Sequence, residues 1–327
     1  MTLQDALTST RSGNLDHLRL LAAAAVIVSH AWPLAYGPGA AEPLVALTGH
    51  SLGGWAVALF FFLSGLLIHQ SASRRGVVSF WTARARRIVP GLAVALLVTV
   101  LLAKASGSSA TLSETLTYVL RGLGLLSIEH RLTNAFAANP YPLAVNGPLW
   151  SLSHEVMAYA LCQAVVLSGL LRSKFGLVVL LVASLAFWGA DPLLPARLAT
   201  FAPLWLAFVL GMAAAHLAAR LRLSVGLALT LALAAPLGWP FAVVALGYGG
   251  LVLALTLPRM PRWGDFSFGL YIYGWPVAQM VLHLWPRLDA PGFALISLAA
   301  TMPFAAASWW LIEGPRLRQA NPVKAIA

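Results

Sequence analysis

An arginine and a histidine, Arg19 and His30, stand eleven positions apart in a stretch otherwise made mainly of Ala, Val and Leu. On a helix, eleven steps of about 100° come within about 20° of three full turns, so both side chains lie on one stripe about 16 Å apart along the axis. Such a stripe suits an anionic partner held at the guanidinium and a proton transfer at the imidazole. Each group is costly in hydrocarbon unless it faces a bundle interior or water, which makes both functional candidates. Asp16, three residues before Arg19, can pair with it and lower that cost. The plainer roles are a topology anchor for Arg19 and an interhelical hydrogen bond for His30.

A second group is basic. In Trp81-Thr82-Ala83-Arg84-Ala85-Arg86-Arg87-Ile88-Val89-Pro90, Arg84 and Arg87 share a helical face with Trp81, and the guanidinium forks of Arg84, Arg86 and Arg87 could hold phosphates. Before it comes Phe60-Phe61-Phe62-Leu63-Ser64-Gly65, where Ser64 and Gly65 permit a close helix approach or a ligand channel. A third group reads Asn146-Gly147-Pro148-Leu149-Trp150-Ser151-Leu152-Ser153-His154-Glu155. Glu155 lies about one turn into a helix entering from the face toward which His30 points. A carboxylate at that depth could orient the imidazole and raise its basicity. His154 faces elsewhere and reads as interfacial. No constellation with metal-ligand spacing is present, and the one cysteine, Cys162, sits in an apolar segment where no internal disulfide is possible.

The elements that position these groups follow from composition. Hydrophobic residues make up 60% of the 327 and charged residues only 9%, against about 25% charged in soluble domains. At about 20 apolar residues per crossing, this length holds roughly ten spanning helices with short loops and little else. Apolar runs fall at 15–36, 52–72, 88–104, 150–171, 175–190, 198–218, 223–237, 241–257, 266–285 and 292–312. The fold class expected is therefore all-α, a polytopic membrane bundle forming a single domain over 1–327, with its motifs in about 14–318 and no separate soluble domain. The first run is long and polar enough to read as a retained helix rather than a signal peptide. The segment 111–127 carries Glu114 and Arg121 and reads as amphipathic, interfacial or re-entrant.

The net charge of +11 would suggest nucleic acid in a soluble protein, but here it reads as topology, with the bilayer as partner and no nucleic acid. With ten spans and a cytoplasmic N-terminus, only Lys104, Arg121, Arg131, Arg197 and Arg287 of the 21 Lys and Arg fall outside. Both termini are then cytoplasmic. The long connection 105–149, broken by Asn139-Pro140-Tyr141-Pro142 and Asn146-Gly147-Pro148, becomes an outward-facing substrate loop or lid.

At these residues the chain resembles acyltransferase family 3, integral membrane O-acyltransferases that modify surface polysaccharides, lipopolysaccharide and related glycans. Leu15-Asp16-x-Leu18-Arg19 with His30 is similar to the family's Arg, ten residues, His signature. Phe61-Phe62-Leu63-Ser64-Gly65, Arg84-x-x-Arg87-Ile88-x-Pro90 and Pro148-Leu149-Trp150-Ser151-Leu152-x-x-Glu155 resemble three further elements, as do Ser267–Pro276 and Ile312–Arg316. Members often carry His where this chain has Gly274. The resemblance implies a bacterial inner-membrane enzyme without a permanently bound cofactor. Its donor would be acyl-CoA, by default acetyl-CoA, and its acceptor a carbohydrate hydroxyl at the outer face. A separate periplasmic partner could take the place of the extra domain some members carry. Arg19, Arg84, Arg86 and Arg87 would then bind the donor, His30 with Glu155 would carry the chemistry, and Asn146, Trp150, Ser151 and Ser64 would contact substrate. The alternatives are a multi-span transporter or exporter of a glycan or acylated metabolite, and a structural membrane subunit.

Overall fold

The computed structural model describes residues 1–125, 131–142, 144–261 and 263–320, with the side chains of 10, 11 and 318–320 left aside. Arg262, Lys324 and the last two positions of the 111–127 segment lie outside the described residues, as do the side chains of Arg11 and Arg318. The fold is all-helical. Among the described residues the only strand-like pairing is an isolated antiparallel bridge between Thr2 and Arg222.

Among the described residues six stretches are long and apolar enough to cross a membrane: Asn14–Tyr36, Leu52–Arg74, Val77–Ala105, Ala196–His216, Trp239–Thr256 and Ala290–Leu317. The other four apolar runs are also helical but do not meet both conditions. Gly176–Gly189 and Val225–Leu237 are short. Trp150–Leu167 and Ser267–Leu284 have 18 residues each but carry His, Glu, Gln and several hydroxyls, which lower their apolarity.

Two compact units partition the chain. Unit 1 comprises Met1–Arg19, Val57–Phe80 and His154–Arg262. It contains α1 (Leu3–Thr8), the start of α2 (Asn14–Tyr36), most of α4 (Leu52–Arg74), most of α7 (Trp150–Leu167), α8 (Gly176–Gly189), α9 (Ala196–His216), α10 (Val225–Ala234) and α11 (Trp239–Thr256). Unit 2 holds the rest of α2, α3 (Pro43–Thr48), the start of α4, most of α5 (Val77–Ala105), α6 (Leu112–Gly124), the segment leading to Ser153, α12 (Ser267–Leu284), α13 (Ala290–Ser308), a π-helical turn at Trp309–Glu313, and α14 (Gly314–Ala320).

In unit 1, α4 and α9 touch backbone to backbone. A Cβ on Gly65 would lie 1.9 Å from the Phe208 carbonyl oxygen, and one on Gly211 would lie 1.9 Å from that of Phe62. The contact is reciprocal, and small residues are what allow apolar helices to pack this closely. The start of α2 is clamped by Asn14, whose Nδ2 donates to the carbonyls of Ala254 and Pro258 while its Oδ1 accepts from the Met260 N–H at 3.0 Å. Those carbonyls lie at and just beyond the end of α11, where a helix leaves acceptors without internal partners.

In unit 2, α6 starts with a capping box: Thr111 Oγ1 accepts from the Glu114 N–H, and Glu114 accepts from the Thr111 N–H. Its inner face packs Gly122 against Leu96 of α5 and buries Tyr118. At thirteen residues α6 is about 20 Å long, short of the roughly 30 Å hydrocarbon core. Helices α12 and α13 pack side by side, with Gly269 fitted against the Ala305 backbone.

Candidate functional site

α2 runs unbroken through both residues of the proposed stripe, Arg19 and His30, with Asp16 on its first turn. Asp16 and Arg19 are half-buried. His30 belongs to unit 2, where its ring meets the Trp275 indole nearly edge to face, with centroids 5.0 Å apart and planes at 78°. The other contacts of that indole form a collar: Tyr141 sits at 5.2 Å and 86°, and the Gly147 backbone lies so close that a Cβ there would be 3.3 Å from the ring. Trp275 Nε1 donates to the Ala144 carbonyl at 2.9 Å. Residues from α2, from the segment 141–147 and from α12 thus converge on one side chain.

The segment is fastened along a single stripe of α12. Tyr271, Trp275 and Gln279 recur every four residues, so they align on one face. Tyr271 donates to the Pro148 carbonyl and shares a 2.5 Å bond with Ser151. Gln279 Nε2 donates to the carbonyls of Tyr141 and Ala144, and its Oε1 accepts from Asn139 Nδ2 at 2.7 Å. Asn146 Nδ2 donates to the Ile272 carbonyl at 2.9 Å. That carbonyl is the one its own helix cannot satisfy, because the residue four positions on is Pro276, which has no N–H. The two Pro-containing stretches singled out in the sequence are therefore complementary halves of one contact. Within the connection 105–149, suggested by the sequence as a substrate loop or lid, Asn139, Tyr141, Ala144, Asn146 and Pro148 are bonded to α12, while 126–130 and 143 lie outside the described residues.

Gly274 also has a physical reason. A Cβ there would come within 2.8 Å of Ile27 Cγ1, one turn before His30 on α2. The space an imidazole would need at 274 is occupied by α2 itself, and that close approach is what brings the neighbouring Trp275 against His30.

The basic cluster sits on α5. Arg86 is exposed and Arg84 half-buried, whereas both terminal nitrogens of Arg87 are engaged, Nη2 with Asp265 at 2.6 Å and Nη1 with Glu313 at 2.8 Å. The guanidinium also lies 5.4 Å from the Phe268 ring and 5.8 Å from that of Trp309. Glu313 accepts a further bond from Ser308 at 2.8 Å, and Asp265 one from Ser267 at 2.5 Å. Charge-assisted pairs of this kind are strong and directional. Arg87 ties α5 to the start of α12 and to the π turn. A carboxylate at 313 in an otherwise apolar stretch was the sequence signal for this tie.

Unit 1 holds Glu155. Its Oε1 accepts from Ser64 Oγ at 2.8 Å and from Tyr159 OH at 2.5 Å. Ser64 is presented to it by α4, whose next residue is the Gly65 of the backbone contact with α9. The sequence position of His154 suggests an interfacial residue. It is buried, with Nε2 3.2 Å from both Thr200 Oγ1 and the Arg197 carbonyl and its ring beside Phe201. Trp150 is exposed at the start of α7, and Cys162 is buried and free.

A groove of about 680 Å³ lies between α6 and the segment 131–142 in unit 2. Glu114, on its wall, is held below the ordinary carboxylate range by the Thr133 hydroxyl and then by the Thr111 N–H.

Comparison with known proteins places these features in a lineage. A family described as an acyltransferase domain matches residues 12–311. A protein named O-acetyl transferase, from Shigella phage Sf6, is 28% identical over 95% of this chain and 98% of its own length. Nodulation protein 10 of Rhizobium leguminosarum bv. viciae is also 28% identical, over 95% of each chain. No solved structure matches.

Proposed function

Since the chain belongs to acyltransferase family 3, we propose that it is a membrane O-acyltransferase that moves an acyl group, by default acetyl, from cytosolic acyl-CoA to a carbohydrate hydroxyl. The observation that carries this reading is the setting of His30: an imidazole on an apolar helix, held edge-on by Trp275 inside a collar built from a fixed loop.

In the direct route, His30 takes the proton of the acceptor hydroxyl as its oxygen attacks the thioester carbonyl. The C–S bond breaks, and the departing CoA thiolate receives a proton. In the covalent route, an imidazole nitrogen attacks the thioester carbonyl, the C–S bond breaks and CoA leaves as its thiol with the imidazole proton, and the acyl group then passes to the hydroxyl, whose proton returns to the freed imidazole. Arg84 and Arg86 on α5 supply cations for the anionic end of the donor, and Arg19 is assigned there by its place on the helix of His30. Arg87 acts differently, because its forks serve Asp265 and Glu313. Glu155 as the partner of His30 rests on the sequence argument. Asn146 and Ser151 shape the acceptor side by fixing the loop, while Trp150 and Ser64 are proposed substrate contacts. The membrane proposed is the bacterial inner membrane, with both termini cytoplasmic and the acceptor outside.

The test is mass spectrometry of cell-surface glycans from cells with the protein, without it, and with His30→Ala. Loss of O-acylation in the last two is expected, with a rate at least a hundredfold lower for the variant, as removal of a general base implies. Unchanged acylation by a normally inserted variant would falsify the assignment.

A further inference from the structure

The groove between α6 and the segment 131–142 has no part in the chemistry derived above. Its volume of about 680 Å³ falls within the range of small-ligand sites, roughly 300–1,000 Å³. Six of its ten lining residues are polar, Ser113, Glu114 and Thr117 from α6 facing Arg131, Thr133 and Asn134, and the other four are Leu132, Ala135, Ala137 and Pro142. Three hydroxyls, an amide, one carboxylate and one guanidinium offer donors and acceptors with no excess of charge.

The walls are fixed in advance. Glu114 accepts from the Thr111 N–H at 2.8 Å and from Thr133 Oγ1, joining the two sides. Asn134 Nδ2 donates to Ser109 Oγ at 2.9 Å, and the Thr133 carbonyl accepts from both the N–H of Ser109 and the hydroxyl of Ser108. Asn134 and Phe136 have positive φ, 59° and 52°, a backbone region that costs energy for a side chain as large as Phe. Phe136 is kept there by burial and by its N–H donating to Ser106 Oγ at 3.0 Å. A polar site built in advance binds with little ordering cost.

One wall residue of the groove adjoins, in sequence, the aromatic collar of His30, and both lie in unit 2. Pro142 lines it, and the preceding Tyr141 places its ring 5.2 Å from Trp275, which stands 5.0 Å from His30.

We propose that this groove binds a neutral carbohydrate chain, holding sugar units beyond the one whose hydroxyl meets His30. Balanced charge argues against an anionic or cationic polymer, a wall of hydroxyls and amide against a lipid, and the open side fits a chain running past rather than an enclosed small molecule. The assignment of the chain as the acceptor rests on the acyl-transfer reading, whereas the binding itself does not.

The experiment uses the full chain in lipid nanodiscs and fluorescein-labelled surface polysaccharide extracted from the producing organism. The same glycan, hydrolysed to single sugars, serves as competitor. Ser113→Trp and Ala137→Trp each fill the groove from an exposed position without touching the capping box. With melting temperatures as in the unaltered protein, both are expected to bind the polysaccharide at least tenfold more weakly. The single sugars are expected to compete poorly. Affinity within twofold of the unaltered protein in both filled variants, or no binding by the unaltered protein, overturns the proposal. Binding that depends on the groove in a protein that acylates no glycan leaves the groove standing and removes the acyl-transfer reading.

Discussion

Pro276 deprives the Ile272 carbonyl of its helical donor, and Asn146 supplies one from 126 residues away. Asn146→Ala removes that donor from a buried acceptor, which costs about 1–3 kcal/mol. The variant should lower the melting temperature and also slow transfer, because the same loop holds Ala144 and Tyr141 against Trp275. A variant with unaltered melting behaviour would show that water replaces the amide. At this scale the sequence singles out Arg19, His30, Arg87 and Glu155, since ionisable residues stand out in an apolar chain. It assigned Arg87 to phosphate, and the structure engages that guanidinium with Asp265 and Glu313, residues 178 and 226 positions away, which no local pattern reports. Tyr271, Trp275 and Gln279 went unassigned for the opposite reason. Their four-residue spacing is plain, but uncharged residues at helical spacing usually signal ordinary packing.

Elements were legible where their signals are local. All ten apolar runs are helical, and the break at Asn139–Pro142 and Asn146–Pro148 lies where proline and glycine chemistry put it. The short Ser-Gly pair on α4 was read as either a close approach or a channel. The structure shows the close approach, since Gly65 and Gly211 each abut the opposing backbone. Gly65→Ala should therefore destabilise unit 1 by at least the ~1–3 kcal/mol that overpacking costs, because a backbone cannot move aside as a side-chain end can. The adjacent Ser64 would shift from Glu155, so activity should fall with stability. Gly249→Ala, with nothing within 4 Å of its added methyl, is the control and should leave both unaltered. Equal behaviour of the two variants would remove the helix contact as the cause.

At the scale of the whole molecule, composition established a membrane protein, while the number of crossings did not follow from apolar length alone. Among the described residues six helices have the length and apolarity to span, and α7 and α12 fall short because of their polar side chains. Side assignment can be measured. With Cys162 replaced by Ala, single cysteines at Ser73 and Ala138, both exposed, flank α5 and α6. In the proposed topology, where α6 does not cross, an impermeant maleimide applied to intact cells should label position 138 and spare 73. Labelling of both from one side would mean that α6 crosses as well and that every later helix is inverted.

The loop collar carries a consequence in time. Its bonds join residues 120 to 140 positions apart. At about 5–20 residues per second of synthesis, the segment 139–151 waits on the order of ten seconds for α12 to emerge. Until then the carbonyls of Tyr141 and Ala144 lack the Gln279 and Trp275 donors that hold them in the folded protein. Nascent chains arrested before residue 267 should therefore expose this segment to protease, and chains arrested well after 284 should not, making the surroundings of His30 among the last parts of the protein to mature.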